Sequence, residues 1–194
     1  MSITLVAGLG NPGREYAATR HNLGWIVIDA FALKRGLTWK TQPSFEADVA
    51  RWDRPGHAPC YFAKPLTFMN DSGRSLGALA RYYKLPVTSI VALYDDLNIE
   101  LGRVKVSVTG SAGGHNGVAS LLEHFGDGFV RYRLGIGPKD PPQMDIKDFV
   151  LGKFSSPQHA LVTQQLDHYL AGLGLLLSRG ADAAMNQLNR RDPP

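Results

Sequence analysis

"ITLVAGLGNPGREYAATRHN", residues 3–22, begins as an uncharged run of β-branched and apolar residues and then passes through three glycines. The apolar run is typical of a buried strand. Gly8, Gly10 and Gly13 follow the spacing G-x-G-x-x-G, which in dinucleotide-binding proteins wraps the chain around a pyrophosphate. The stretch therefore predicts a strand and a tight glycine turn, and it raises the question of whether that turn holds a nucleotide.

Two features disfavour a dinucleotide site. Pro12 has no backbone N–H, and it is backbone N–H groups at a helix start that hold a pyrophosphate. The pattern also requires an acidic residue about 20 residues after the glycines, at the end of a second strand. That region is "VIDAFALKRG", residues 27–36, which predicts a helix that contains Asp29. A dinucleotide-dependent oxidoreductase therefore remains only as an alternative.

The rest of the chain alternates between strand-like and helix-like segments. We expect strands over residues 3–9, 45–52, 59–64, 89–96, 102–108 and 131–137, and helices over 22–35, 73–84, 117–125 and a helical tail after Pro157. The turn-forming residues 53–58 make the second and third strands a hairpin, and residues 137–145 are the least structured stretch. This order predicts a single α/β domain over residues 1–194, with a mixed, mostly parallel twisted sheet flanked by helices.

Composition limits the class of protein. The 194 residues include 21 Lys and Arg against 17 Asp and Glu, a net charge of +4 that is compatible with a polyanionic partner without demonstrating one. Cys60 is the only cysteine, so no intrachain disulfide can form and a reducing compartment is expected. The first residues lack a basic leader, and no apolar run approaches 18 residues. We expect a soluble cytoplasmic protein with no membrane partner.

Polar side chains follow the predicted strands at their carboxyl ends, the edge where such sheets bind ligands. These side chains are Asn11, His21, Asn70, Asp95, Asp96, His115 and Asn116. Within this set, one histidine, one carboxylate and the three asparagines would suit hydrolysis by a water molecule that a general base activates. Because asparagine cannot accept a proton at neutral pH, the amides would position groups, and His21 is left as the base.

Each of these residues also has a purely structural interpretation. A histidine at a helix start can be a cap, Asp95 and Asp96 can end a strand and cap the next element, and the glycines of "GSAGGHNG" can serve only a tight turn. What favours a site is that four separate loops all carry such groups after strands.

Other chemistries lack their signatures. There is no G-x-S-x-G for a serine nucleophile, and Cys60 lies in the middle of a predicted strand, where a small apolar side chain is expected. The histidines show no H-x-x-x-H pair, and a lone cysteine excludes a thiolate metal site. Asp95 with Asp96 could hold magnesium only together with phosphates, for which there is no P-loop. These residues therefore predict neither a zinc site nor a magnesium site.

Several long motifs occur together in one order along the chain: "VAGLGNPGREYAATRHNLGW", "KPLTFMNDSG", "YDDLN", "GSAGGHNG", "RYRLGIG" and "FVLGKF". In this the sequence resembles the bacterial peptidyl-tRNA hydrolase family over essentially its whole length. The resemblance implies a monomeric α/β enzyme that hydrolyses the ester joining a peptide to the 3′-terminal ribose of transfer RNA, without a cofactor. A non-catalytic RNA-binding protein is the second alternative.

The resemblance also implies roles for individual residues. His21 is similar to the general base of the family, and Asp95 to the carboxylate that orients its imidazole. Asn11 resembles the residue that distinguishes a blocked amino group from a free one. Asn70 and Asn116 resemble substrate-binding amides, with Asn116 also close to the attacking water.

Four further positions are implied to contact the transfer RNA or the peptide. Tyr16 and Phe68 fall where the family contacts the terminal adenosine or the peptide, and Lys105 and Arg133 match basic positions that hold RNA phosphates. The sequence departs from the family pattern at Asn98, Ser107 and Pro138. The last two changes lower the positive charge beside the predicted phosphate positions.

Overall fold

The computed structural model describes residues 2–190, and within that range the strands form one seven-stranded sheet. Its elements are β1 (Leu5–Gly8), α1 (Leu23–Lys34), β2 (Lys40–Gln42), β3 (Ala47–Trp52), β4 (Cys60–Pro65), α2 (Ser72–Tyr82), β5 (Ile90–Glu100), β6 (Val104–Ser107), α3 (Asn116–Phe125), β7 (Val130–Gly137), α4 (Ile146–Leu151) and α5 (Ser156–Leu188). The strand order is β2-β3-β4-β1-β5-β7-β6. The four central strands run parallel, and the pairings of β2 with β3, β3 with β4 and β6 with β7 are antiparallel.

Two apolar layers cover the faces of the sheet, because successive side chains of a strand point to opposite sides. Leu5 and Ala7 of β1 pack with α2 and α3, and Val6 between them packs with α1 and α5. The α/β architecture with a mixed sheet flanked by helices is therefore as predicted, and the parallel pairings occupy its centre.

The sheet has a topological switch point beside β1. After β1 the chain proceeds to β4 on one side, and after β4 it crosses through α2 to β5 on the other side. The loops that leave the carboxyl ends of β1 and β5 therefore diverge, which opens a crevice at that edge.

Close packing of α1 on the sheet explains part of the glycine pattern. A Cβ on Gly24 would lie 2.4 Å from the carbonyl oxygen of Leu93 and 2.7 Å from that of Leu9, so α1 begins directly against β1 and β5. Gly13 has a φ of 114°, a conformation that favours glycine. The glycines thus serve close approach and a turn, and Asp29 lies within α1 as predicted.

Several boundaries differ from the sequence predictions. The strand expected to end at Asp96 continues to Glu100, with an irregular register against β7 in between. β2 and α4 are elements that the sequence did not predict, because three and six residues are too few to show periodicity. The helical tail forms α5, which consists of two helical segments joined at Gly180, a non-helical residue with a φ of 83°.

The end of α5 is attached to the edge strand β6. The side-chain amide of Asn189 accepts a hydrogen bond from the Val106 N–H and donates one to the Val106 carbonyl, both at 2.8 Å. No helix in residues 2–190 has the length and apolar content needed to span a membrane.

Candidate active site

A cleft of about 740 Å³ lies at the carboxyl edge of the parallel strands. Its walls are the loops after β1 and β4, the second half of β5, the glycine-rich loop before α3, and the short helix α4. Seven of the nine predicted site residues line it: Asn11, His21, Phe68, Asn70, Asp95, Asn116 and Arg133. Tyr16 and Lys105 lie outside this lining.

His21 and Asp95 form a buried pair. His21 lies on a single 3-10 turn that leads into α1, and Asp95 lies on β5. The His21 Nδ1 is 2.9 and 3.0 Å from the two Asp95 oxygens, and the residues are 7% and 3% exposed. Because a carboxylate only accepts hydrogen bonds, Nδ1 carries the hydrogen in the neutral ring, and Nε2 is left with a lone pair.

A second imidazole contacts the same carboxylate. His115 Nε2 is 3.1 Å from Asp95 Oδ1, while its Nδ1 accepts the Val118 N–H at 3.2 Å at the start of α3. The backbone donor fixes the tautomer of His115 with its hydrogen on Nε2. The sequence placed His115 beside Asn116 before a helix but gave no signal of this contact, which depends on α3 reaching β5.

The two imidazoles keep Asp95 ionised. Burial alone would raise the pKa of the Asp95 carboxyl, but the charges and hydrogen bonds of His115 and His21 outweigh it and hold the pKa well below its ordinary value. Asp95 therefore remains a carboxylate at physiological pH, able to orient both rings.

Two histidines and an aspartate this close together are also a possible set of metal ligands. Ligand atoms of His21, Asp95 and His115 all lie within 4.8 Å of one another. A metal ion would need the Nε2 lone pair of His115, yet the Val118 N–H holds the tautomer that places a hydrogen there. The donor set suits a hydrogen-bonded network better than a resident metal ion.

Asn11 has a fixed orientation. Its Oδ1 accepts the Met69 N–H at 2.7 Å, so its Nδ2 is the group presented to the cleft. The amide of Asn22 accepts the Asn11 N–H and donates to the Asn11 carbonyl, both at 2.9 Å. Asn22 is thus a supporting residue that sequence reasoning missed, although it lies next to His21.

The other predicted contacts lie around the rim. Phe68 is 58% exposed, and Tyr16 meets it edge-on with ring centroids 6.4 Å apart, so Tyr16 adjoins the cleft through Phe68. Asn70 and Asn116 are exposed on the 3-10 turn after β4 and at the first turn of α3.

The two predicted phosphate contacts are direct neighbours across β6 and β7. Lys105 is paired in register with Arg133, so both side chains leave the same face of the sheet. Arg133 Nε and Nη2 both lie 2.9 Å from Asp96 Oδ2, which orients the guanidinium.

Comparisons with known proteins find relatives over nearly the whole chain. A sequence model of the peptidyl-tRNA hydrolase family matches residues 5–194. The peptidyl-tRNA hydrolase of Anaeromyxobacter dehalogenans is 43% identical over 188 residues, 96% of each chain, and that of Symbiobacterium thermophilum is 43% identical over 95% of this chain and 98% of its own. The crystal structure of peptidyl-tRNA hydrolase from Acinetobacter baumannii superposes with a TM-score of 0.90 at 36% identity, covering 99% of this chain and 97% of the other.

The sheet, the switch-point cleft and the imidazole–carboxylate network are those of an α/β enzyme. Within that class of enzymes, the matches to one family model and to relatives over nearly the whole chain identify the family. The chain belongs to the peptidyl-tRNA hydrolase family.

Proposed function

We propose that the protein hydrolyses the ester between peptide and transfer RNA in peptidyl-tRNA, with His21 as the general base. The observation that carries this proposal is the buried His21–Asp95 pair, whose geometry leaves His21 Nε2 free to accept a proton. The two relatives described above are both called peptidyl-tRNA hydrolase, and this name suggests the substrate.

The reaction follows from these groups. His21 Nε2 takes a proton from water as the water oxygen attacks the ester carbonyl carbon, and Asp95 stabilises the imidazolium that forms. The bond from that carbon to the ribose oxygen then breaks, and the imidazolium returns its proton to the leaving oxygen. The products are a free peptide carboxyl and a transfer RNA.

Substrate selection is assigned to the amides and aromatic rings. Asn11 Nδ2 can donate to the carbonyl of a peptide, an acceptor that a free amino group lacks. Asn70 and Asn116 bind the substrate backbone, and the exposed rings of Phe68 and Tyr16 provide surfaces on which a base or peptide side chain can pack.

Phosphate binding is assigned to Lys105 and Arg133. Both are cations on an open face next to the cleft, and phosphate contacts position an RNA without reading its sequence. We further propose that residues 1–194 act as one catalytic domain, as a monomer in the cytoplasm and without a cofactor. Light scattering of the purified protein tests the monomer.

Turnover of labelled peptidyl-tRNA tests the proposal. His21→Ala should lower kcat by roughly 100- to 10,000-fold with substrate binding largely retained, the usual effect of removing a positioned general base. Asp95→Asn should lower kcat by less than His21→Ala does. The double variant should have a kcat only slightly below that of His21→Ala, because the two residues act as a unit. Binding without turnover by the parent would instead favour a non-catalytic RNA-binding protein, and near-parental turnover by folded His21→Ala would exclude His21 as the base.

A further inference from the structure

Arg20, the residue before His21, is a buried cation whose side chain contacts residues 149–158. It is 9% exposed, its Nη1 donates to the Phe149 carbonyl at 3.1 Å, and its Nη2 donates to Gln158 Oε1 at 2.8 Å. Its guanidinium carbon also lies over the rings of Phe149 and Phe154, at 4.4 and 5.5 Å from their centroids.

The main chain makes the same connection. The Arg20 N–H donates to the Gly152 carbonyl at 3.0 Å, and Thr19 forms an isolated antiparallel bridge with Lys153. The turn that carries His21 is therefore joined to the end of α4 by backbone and side-chain bonds together.

Filling this space with a cation is energetically unfavourable by itself. Both hydrogen-bond acceptors of Arg20 are neutral, and burial lowers the pKa of its guanidinium. An apolar side chain would occupy such a space at less cost, but it could not bond two separate segments at once. The N–H groups of a planar guanidinium can bond both segments at once, and this is why the position requires an arginine.

Most of these bonds go to α4 and the residues just after it, and the bond to Gln158 goes to the first turn of α5. α4 is six residues long, too short for its own hydrogen bonds to fix it, and it contributes Ile146, Lys147, Val150 and Leu151 to the lining of the cleft. Phe149 lies in its last turn, where a cation also interacts favourably with the helix dipole.

We propose that Arg20 is a positioning residue that fixes α4, as one wall of the cleft, relative to the turn carrying His21. Without the hydrogen bonds of the Arg20 guanidinium, α4 can move away from the turn. The distance between α4 and His21 then varies when the substrate binds. The effect of Arg20 on substrate binding rests on the proposed function, but its effect on the position of α4 does not.

Arg54 offers a matched control. Its guanidinium likewise donates to two neutral oxygens, the main-chain carbonyls of Leu177 at 3.2 Å and Ile3 at 3.3 Å, and its guanidinium carbon lies 5.0 Å from the ring centroid of Trp52. None of these residues lines the cleft. Arg54→Lys therefore reports the general effect of replacing such an arginine, and Arg20→Lys adds the effect specific to α4.

The decisive measurement is amide hydrogen exchange of residues 146–153 in the full chain. Arg20→Lys and Arg20→Met should raise exchange there by roughly tenfold, since hydrogen bonds from a charged donor are lost, while Arg54→Lys should leave it unchanged. Gln158→Ala should give a smaller rise, and Gln158→Glu, which keeps the acceptor, should restore parental exchange. Because Gln158 Oε1 also accepts the Ser155 N–H in the capping box of α5, Ser155→Ala, which disrupts that box and keeps the bond from Arg20, is the control for Gln158→Ala. With this control the Gln158 pair decides the matter if the Arg20 variants do not fold.

Kinetics with peptidyl-tRNA provide the second readout. Arg20→Lys should raise KM by roughly tenfold with a smaller change in kcat and an unchanged pH midpoint of kcat, because a wall has moved and the base has not. Unchanged α4 exchange in the Arg20 and Gln158→Ala variants, or an equal rise in Arg54→Lys, would overturn the proposal. So would a pH midpoint that shifts in Arg20→Met but not in Arg20→Lys, since that marks an effect of charge on His21. A parent protein without turnover would refute the proposed function alone, because the exchange comparison stands by itself.

Discussion

His115 and His21 both contact one oxygen of Asp95: His115 Nε2 lies 3.1 Å and His21 Nδ1 lies 2.9 Å from Oδ1. The carboxylate is thus held by the glycine-rich loop as well as by the turn that it orients. Asp95 cannot rotate away from His21 without also breaking its bond to His115.

Removing the second imidazole should weaken catalysis without abolishing it. We expect His115→Ala to lower kcat by roughly tenfold, the value of one hydrogen bond to a charged group, which is well short of the loss in His21→Ala. The measurement is single-turnover cleavage of peptidyl-tRNA. Because His115 also caps α3 through the Val118 N–H, His115→Asn serves as a control that keeps a capping side chain. Equal losses in His115→Ala and His21→Ala would show that His115 acts as more than a support.

Asn11→Asp should reduce the preference for substrates with a blocked amino group over substrates with a free amino group, measured as the ratio of their kcat/KM values. The new carboxylate can still accept the Met69 N–H, but it has no donor for a peptide carbonyl, and it attracts a free ammonium group. We expect kcat/KM for N-acetylaminoacyl-tRNA to fall roughly tenfold and that for aminoacyl-tRNA to rise. Asn98→Asp, which places the same charge in the lining of the cleft, is the control and should leave the ratio unchanged. Parental discrimination in Asn11→Asp would assign the selectivity to another residue.

Lys105→Ala and Arg133→Ala should each raise KM for full-length peptidyl-tRNA and spare a small ester that carries only the terminal adenosine. Each loss should also reduce the salt dependence of binding by about one phosphate contact. Arg133→Ala should have the larger effect, because it also leaves the Asp96 carboxylate unpaired next to the RNA. Lys40→Ala, an exposed lysine on the opposite edge strand, is the matched control. An unchanged salt slope in both test variants would remove these residues from the RNA site.

Asp95 should make folding stability depend on acid pH. Its pKa is lower in the folded than in the unfolded chain, so the unfolded chain binds the proton first, and the stabilisation is complete above the ordinary carboxyl value of about 3.9 and is lost as the pH falls toward the folded pKa. Urea unfolding between about pH 5 and 2 should show a steeper decline in the free energy of unfolding for the parent than for Asp95→Asn, by up to ~1.4 kcal/mol per pH unit. Identical slopes would mean that the carboxylate gains nothing from its two imidazoles.

The sequence predicted the fold well wherever a segment is long enough to show a period. β1, α1 and the hairpin of β3 and β4 all appear near their expected positions, because apolar alternation and turn residues mark them. α4 was missed because six residues have no readable period, and its position depends on distant bonds, such as that from Arg20 to the Phe149 carbonyl.

The cleft residues were predictable because the ends of adjacent parallel strands meet at one edge of the sheet. That rule brings His21 and Asp95 together although 74 positions separate them. It says nothing about hydrogen-bond direction, which is why the orientation of Asn11 and the support by Asn22 and His115 required coordinates. The assigned roles stay predictions.

The bonds of Asn189 to Val106 bear on how two copies of the protein can meet. An open sheet edge is a template on which another chain can add a strand. At β6 the free N–H and carbonyl of Val106 are already occupied by the Asn189 amide, and at the other edge β2 is three residues long and carries Lys40. Growth of the sheet from one copy into the next is therefore obstructed at both ends, and shortening α5 before Asn189 would reopen one of them.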